Sequence, residues 1–226
     1  MVISIVRKEL REIAGISALA VGAYLLVLMI FTGATFAQWL PIVSLLAEPT
    51  PTVVPFLNSA FSNFLCGVSC LIALMLGFRQ SAWDHSRHTY LFLLHRPIAR
   101  PRIFLVKIGT GLAILLASSG ACIVAYAAWA TTPGTHPGPF YWSMTENCWI
   151  CCLGFSLVYL GAFLSGLRRA RWFGTRLLPL VAGLLFFLML WTAIPGIVTA
   201  TVFVMVLDIL MVIAICHVSA NQDFSS

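Results

Sequence analysis

The chain has 226 residues, of which 61% are hydrophobic and 9% charged, whereas soluble domains carry about 25% charged residues. Mean hydropathy is +0.99, and so apolar a chain in water lacks the polar surface to cover its core, which excludes a soluble globular protein. The net charge of +6 and a pI of about 9.2 do not point to nucleic acid, because no basic patch is interleaved with aromatics outside the apolar runs; the excess reads as Lys and Arg placed to set membrane topology.

Residues 2–13, VISIVRKELREI, read as an amphipathic helix. Val2, Ile3, Val6, Leu10 and Ile13 recur at three- and four-residue steps, with Arg7, Lys8, Arg11 and Glu12 off that stripe. Such a helix is predicted to lie in the membrane interface. The first span then runs over about Ile16 to Phe36. It is too long for the apolar part of a signal peptide, and Glu9 and Glu12 sit where such a leader is basic, so it reads as a retained anchor. The loop to Pro55 contains Pro41, Pro49 and Pro51 and has no Lys or Arg.

The second span is predicted over about 56–78 and the third over about 103–129. A Pro- and Gly-rich loop follows, TTPGTHPGPFYW, whose aromatics suit a membrane–water boundary. The fourth span is predicted over 147–167, and four arginines follow it: Arg168, Arg169, Arg171 and Arg176. The last two runs, 176–193 and 197–216, meet at Ile194-Pro195-Gly196, a tight-turn sequence. They can cross twice or form a hairpin, and two crossings are favoured. With six crossings and a cytoplasmic N-terminus, all thirteen Lys and Arg fall on the cytoplasmic side. The fold class is therefore an all-α integral membrane protein of six transmembrane helices, a single domain over 1–226 with both termini cytoplasmic.

Between spans 2 and 3 lies the most polar stretch, Arg79 to Lys107, RQSAWDHSRHTYLFLLHRPIARPRIFLVK. It holds six of the thirteen basic residues and three of the five His. Ser81 to Asp84 fits an S-x-x-D capping box, which predicts a short helix running to about His95. Arg96 precedes Pro97 and so leaves helical geometry. Arg100 and Arg102 flank Pro101, and Lys107 opens the third span. TYLFLLHRPIAR is too apolar to float in water and is expected to pack on the membrane surface or on a partner.

This stretch resembles the connector after the second span in exporter-type (type-2) ATP-binding-cassette permeases. The matching residues are Asp84, Thr89, Leu91 to Leu94, Pro97, Ala99, Arg100 and Lys107. The sequence departs at His88, where the family usually has Gly, and at Ala99, where Ser is common. The N-terminal VRKELREI and the six-span layout extend the resemblance over most of the chain. It implies a cytoplasmic coupling helix that docks on a separate ATPase subunit through Asp84, Arg87, Thr89, Arg96, Pro97, Arg100 and Arg102. It also implies a second permease chain, identical or related, and ATP with Mg on the partner. No cofactor is expected in this chain. It lacks G-x-x-x-x-G-K-[ST], so ATP hydrolysis is not expected in it.

Other features carry weaker expectations. Asp208 lies in the sixth run, about eight residues from its end and on the order of 12 Å deep. It is either a functional intramembrane acid or a hydrogen-bond partner of a neighbouring Ser or Thr. Cys148, Cys151 and Cys152 form a C-x-x-C-C cluster without a nearby His or second pair, so packing is favoured over metal binding or redox chemistry. Ser165-Gly166 and His217 evoke a rhomboid-type protease. That family needs Gly-x-Ser-Gly, and Phe163 replaces the first Gly. No His is expected deep in the bundle for haem. A membrane scaffold without transport is the other reading kept open. Few intramembrane charges point to an apolar or lipid-like substrate.

Overall fold

The computed structural model describes residues 2–33, 54–57, 59–86, 100–134, 136, 138–168, 173–193 and 196–221. Within them all regular structure is helical. In chain order the long helices are α1 (Val2–Phe31), α2 (Ser59–Ser86), α3 (Arg100–Ala130), α4 (Glu146–Leu167), α5 (Phe173–Ala193) and α6 (Ile197–Asn221), with a short 3-10 turn at Trp142–Thr145 leading into α4. All six are long and apolar enough to cross a membrane, since about 20 residues at 1.5 Å rise cover a hydrocarbon core of about 30 Å.

Side-chain pairs fix the directions. Tyr24 meets Ser69 and Phe31 meets Phe61, so α1 and α2 are antiparallel. Ser119 meets Cys152 and Phe104 meets Phe163, which makes α3 and α4 antiparallel. Ser165 meets Leu180 while Gly154 abuts Phe187, and α4 and α5 are antiparallel in turn. Glu146 and Ser156 meet Ile197 and Asp208, so α4 and α6 run parallel. The chain thus alternates up and down, and the described Lys and Arg residues all gather at one end of the bundle.

The hub is α4. In its most apolar stretch 94% of residues are buried, against 11% in α6. Small residues let the neighbours in. A β-carbon on Gly161 would come within 2.8 Å of the Pro179 carbonyl oxygen, and one on Gly183 within 2.6 Å of the Leu157 carbonyl oxygen. Gly77 likewise sits against the α4 backbone at Tyr159 and Phe163. Without a hydrophobic drive inside lipid, this close backbone approach and its dispersion contacts are what hold such helices together. At the end away from the basic residues, Phe31, Phe56, Phe61, Tyr126, Trp129 and Phe140 pack edge-on, tilted or stacked and close that end of the core.

Three expectations change. Residues 2–13 are not a separate interfacial helix: α1 runs unbroken from Val2. The stripe read as its apolar face is partly outward, with Leu10 46% exposed, while Glu9 and Ile13 are each 1% exposed and turned into the bundle. Second, α2 continues through Ser86, so Ser81 starts no new helix. Its hydroxyl donates to the Gly77 carbonyl oxygen one turn back, 2.7 Å away, and packs against Gly166. Tertiary packing against α4 overrides the local capping pattern. Third, α6 extends to Asn221, past the predicted end at 216; the favoured reading of the last two runs as two separate helices, each long and apolar enough to cross, agrees with α5 and α6.

Candidate functional site

The connector expected to dock a partner falls largely on residues 87–99, outside the described residues. This covers Arg87, Thr89, Arg96 and Pro97. Asp84 lies in the last turn of α2 and Arg100 begins α3. Arg102, in the first turn of α3, is exposed. The structure describes the two roots of the connector, and these are tied together inside the bundle.

Gln80 of α2 donates from Nε2 to the backbone carbonyl oxygen of Lys107 in α3, at 3.2 Å. Its Oε1 accepts from the Tyr159 hydroxyl of α4. The Lys107 ammonium reaches Glu9 Oε1 of α1 at 3.3 Å, with side-chain exposures of 0% and 1%. Four helices therefore meet in one buried polar node. Gly111 makes the node possible, because a β-carbon there would occupy the space of the Tyr159 hydroxyl and Gln80 Oε1. Gln80 is six residues before the end of α2 and Lys107 seven after the start of α3, so the node lies about 10 Å below the helix ends. A buried ion pair is stable only when both charges are satisfied, and it is costly to break from one side.

None of these four residues was singled out by sequence reasoning as a site, apart from Lys107 as the opening of a span. One signal was present. Continuing the buried face Val27, Tyr24, Ala20, Ile13 backwards along α1 lands on Glu9, an acid in phase with core positions. The charge then demands a cation from a neighbouring helix.

Asp208 is close to the middle of α6, eleven residues from its start and thirteen from its end, deeper than the sequence expectation. Ser156 Oγ of α4 lies 2.6 Å from Asp208 Oδ2 and 2.7 Å from the Leu153 carbonyl oxygen. One hydroxyl carries one proton, so these two acceptors compete unless the carboxyl brings its own. Asp208 Oδ1 is buried and makes no hydrogen bond among the described residues.

The cysteines are all free. Cys148 Sγ is 3.3 Å from Ser62 Oγ and Cys152 Sγ is 3.1 Å from Ser119 Oγ, so both thiols are used between helices. Among the described residues no group of His, Cys, Asp and Glu is arranged to hold a metal. Ser165 is fully buried and its hydroxyl accepts the Leu180 backbone N–H at 3.0 Å. Leu180 follows Pro179, the proline inside α5, where the ring disturbs the helical ladder. Arg176 Nε donates to the Ser165 carbonyl oxygen at 3.3 Å. Ser165 thus serves the backbone beside the proline of α5, while His217 is exposed on the last turns of α6.

Compared with known protein families, curated proteins and solved structures, the chain matches none.

Proposed function

We propose that the chain is the membrane-spanning permease subunit of an ATP-binding-cassette exporter, forming the substrate path and coupling to a separate cytoplasmic ATPase. The observation that carries this reading is the tie between the connector's roots. Gln80 and Lys107 bracket residues 87–99 and are joined to each other, to Glu9 and to Tyr159. Force applied to a partner-docking connector would then reach α1, α2, α3 and α4 together. A conformational change of this kind requires differential contacts in two states, and a buried node shared by four helices is a suitable element to have two arrangements. The clustering of the described basic residues at one end of the bundle supports placing that end, and both termini, at the cytoplasmic face of the cell membrane. Two such chains, identical or related, would enclose the path, and the sparse intramembrane charge fits an apolar or lipid-like substrate.

The experiment is purification of the tagged chain in mild detergent from its own host, followed by an ATPase assay. A P-loop subunit is expected to co-purify and hydrolyse ATP. Arg96→Glu with Arg100→Glu is expected to abolish ATP-driven transport while leaving the helix content unchanged. Purification alone or with a partner lacking ATPase activity, or full transport by the double variant, would reject the docking assignment and leave a scaffold.

A further inference from the structure

On the outer side of the α1–α3 pair runs an open groove of about 480 Å³. Its α1 wall is Val6 and Leu10, and its α3 side runs from Val106 through Gly109 and Ala113 to Ala117. Thr110 also lines it, but its hydroxyl donates to the Val106 carbonyl oxygen at 2.7 Å. No unsatisfied polar group of Thr110 is therefore left to the groove. The floor is made by Gly109, Ala113 and Ala117, four residues apart and all exposed. A β-carbon on Gly109 would meet nothing within 4 Å, so at this point the floor is packed against no other helix among the described residues.

The membrane-spanning stretches begin at Val6 in α1 and Pro101 in α3, which places the groove at the basic end of both. From Val106 to Ala117 is about 16 Å of helix, or roughly half of a 30 Å hydrocarbon core. The groove is therefore one leaflet long. Arg102 lies one helical turn beyond Val106 on the same line of α3, the line that continues through Gly109, Ala113 and Ala117. It is exposed and sits where the apolar run gives way to the boundary.

We propose that this groove binds an anionic phospholipid, with an acyl chain along Gly109, Ala113 and Ala117 and the phosphate at Arg102. An apolar channel one leaflet long, with a cation at its mouth, matches the charge and length of that ligand. A second copy of this chain fits less well. A two-fold contact along the Gly109–Ala113–Ala117 line between parallel copies would set Arg102 against its own counterpart, like charge facing like charge. The site does not depend on the permease reading, since it needs no ATPase and no transport.

The test is native mass spectrometry of the full-length chain titrated in mild detergent with phosphatidylglycerol or phosphatidylcholine. Phosphatidylglycerol is expected to be retained preferentially. Arg102→Gln is expected to reduce that preference by roughly fivefold, the discrimination that one surface cation supplies. Ala113→Leu and, separately, Ala117→Leu fill the floor at exposed positions and are expected to lower retention of both lipids without changing helix content. Equal retention of the two lipids by the wild-type chain would overturn the proposal. So would retention unchanged by both leucine variants, or a dimer that these variants convert to monomer with lipid retention intact.

Discussion

Lys107 and Glu9 pair inside the bundle, Nζ to Oε1 at 3.3 Å, with neither side chain open to solvent. The two opposite charges offset one another between α1 and α3. Glu9→Gln or Lys107→Met alone is expected to cost about 3–5 kcal/mol, because the survivor loses its opposite charge inside the bundle. The combined Glu9→Met and Lys107→Met variant is expected to recover most of that loss. Reversible unfolding in mixed micelles measures all three. Single variants as stable as the wild type would mean that the pair is not buried in the membrane-embedded protein.

Tyr159→Phe deletes the hydroxyl that Gln80 accepts from and is expected to cost about 1–2 kcal/mol. Gly111→Ala is expected to be at least as damaging, since its methyl group enters the same space. If Gly111→Ala melts at the wild-type temperature, the close approach of α3 to α4 at this point is wrong.

Ser165→Ala removes the acceptor of the Leu180 N–H. The expected cost is about 1–3 kcal/mol for a buried donor left unsatisfied. Pro179→Ala restores a ladder donor and relieves the ring clash in α5, so Ser165→Ala should cost less in that background. A double-mutant cycle on thermal unfolding reads the difference. Any activity that survives Ser165→Ala in folded protein also removes the protease reading.

Asp208→Asn keeps the shape of the side chain and a group able to bond Ser156. Its stability is expected to stay within about 0.5 kcal/mol of wild type, whereas Asp208→Ala loses an interhelical hydrogen bond of about 0.6–1.7 kcal/mol. Thermal melting in detergent separates the two. A large loss in Asp208→Asn would show that α6 is held by the carboxylate charge rather than by the hydrogen bond.

Cys148, Cys151 and Cys152 are buried and are expected to resist a maleimide in the folded protein and to react once it is denatured. Rapid labelling of all three in the native state would contradict their role in packing.

The six helices were legible because each carries enough apolar residues in a row to span a bilayer, a signal that needs no partner information. The ends were less so. Ser81 and Asp84 have the spacing of a cap, but Ser81 is buried against Gly166, and only the tertiary contact decides that the helix continues. The stripe through Val6 and Leu10 misled in a related way. Inside lipid an apolar face need not be a packed face, so periodicity identified what is apolar and missed that Glu9 is the inward residue. The node itself was invisible because its members come from four separate helices, and nothing local to Gln80 or Tyr159 announces the other. Asp208 could be read as an intramembrane polar group, either a functional acid or a hydrogen-bond partner of a Ser or Thr, but that its neighbour is Ser156 depends on the parallel pairing of α4 with α6.

The near-complete enclosure of α4 has a consequence for biosynthesis. This helix is translated before two of the partners that cover it. Until α5 and α6 arrive, the side bearing Gly154, Ser156 and Gly161 faces lipid or whatever shields it at the insertion site. A chain ended after Arg168 would therefore present that glycine-lined flank, with Ser156 on it, to the bilayer, so the last two helices are what closes the surface of the fourth.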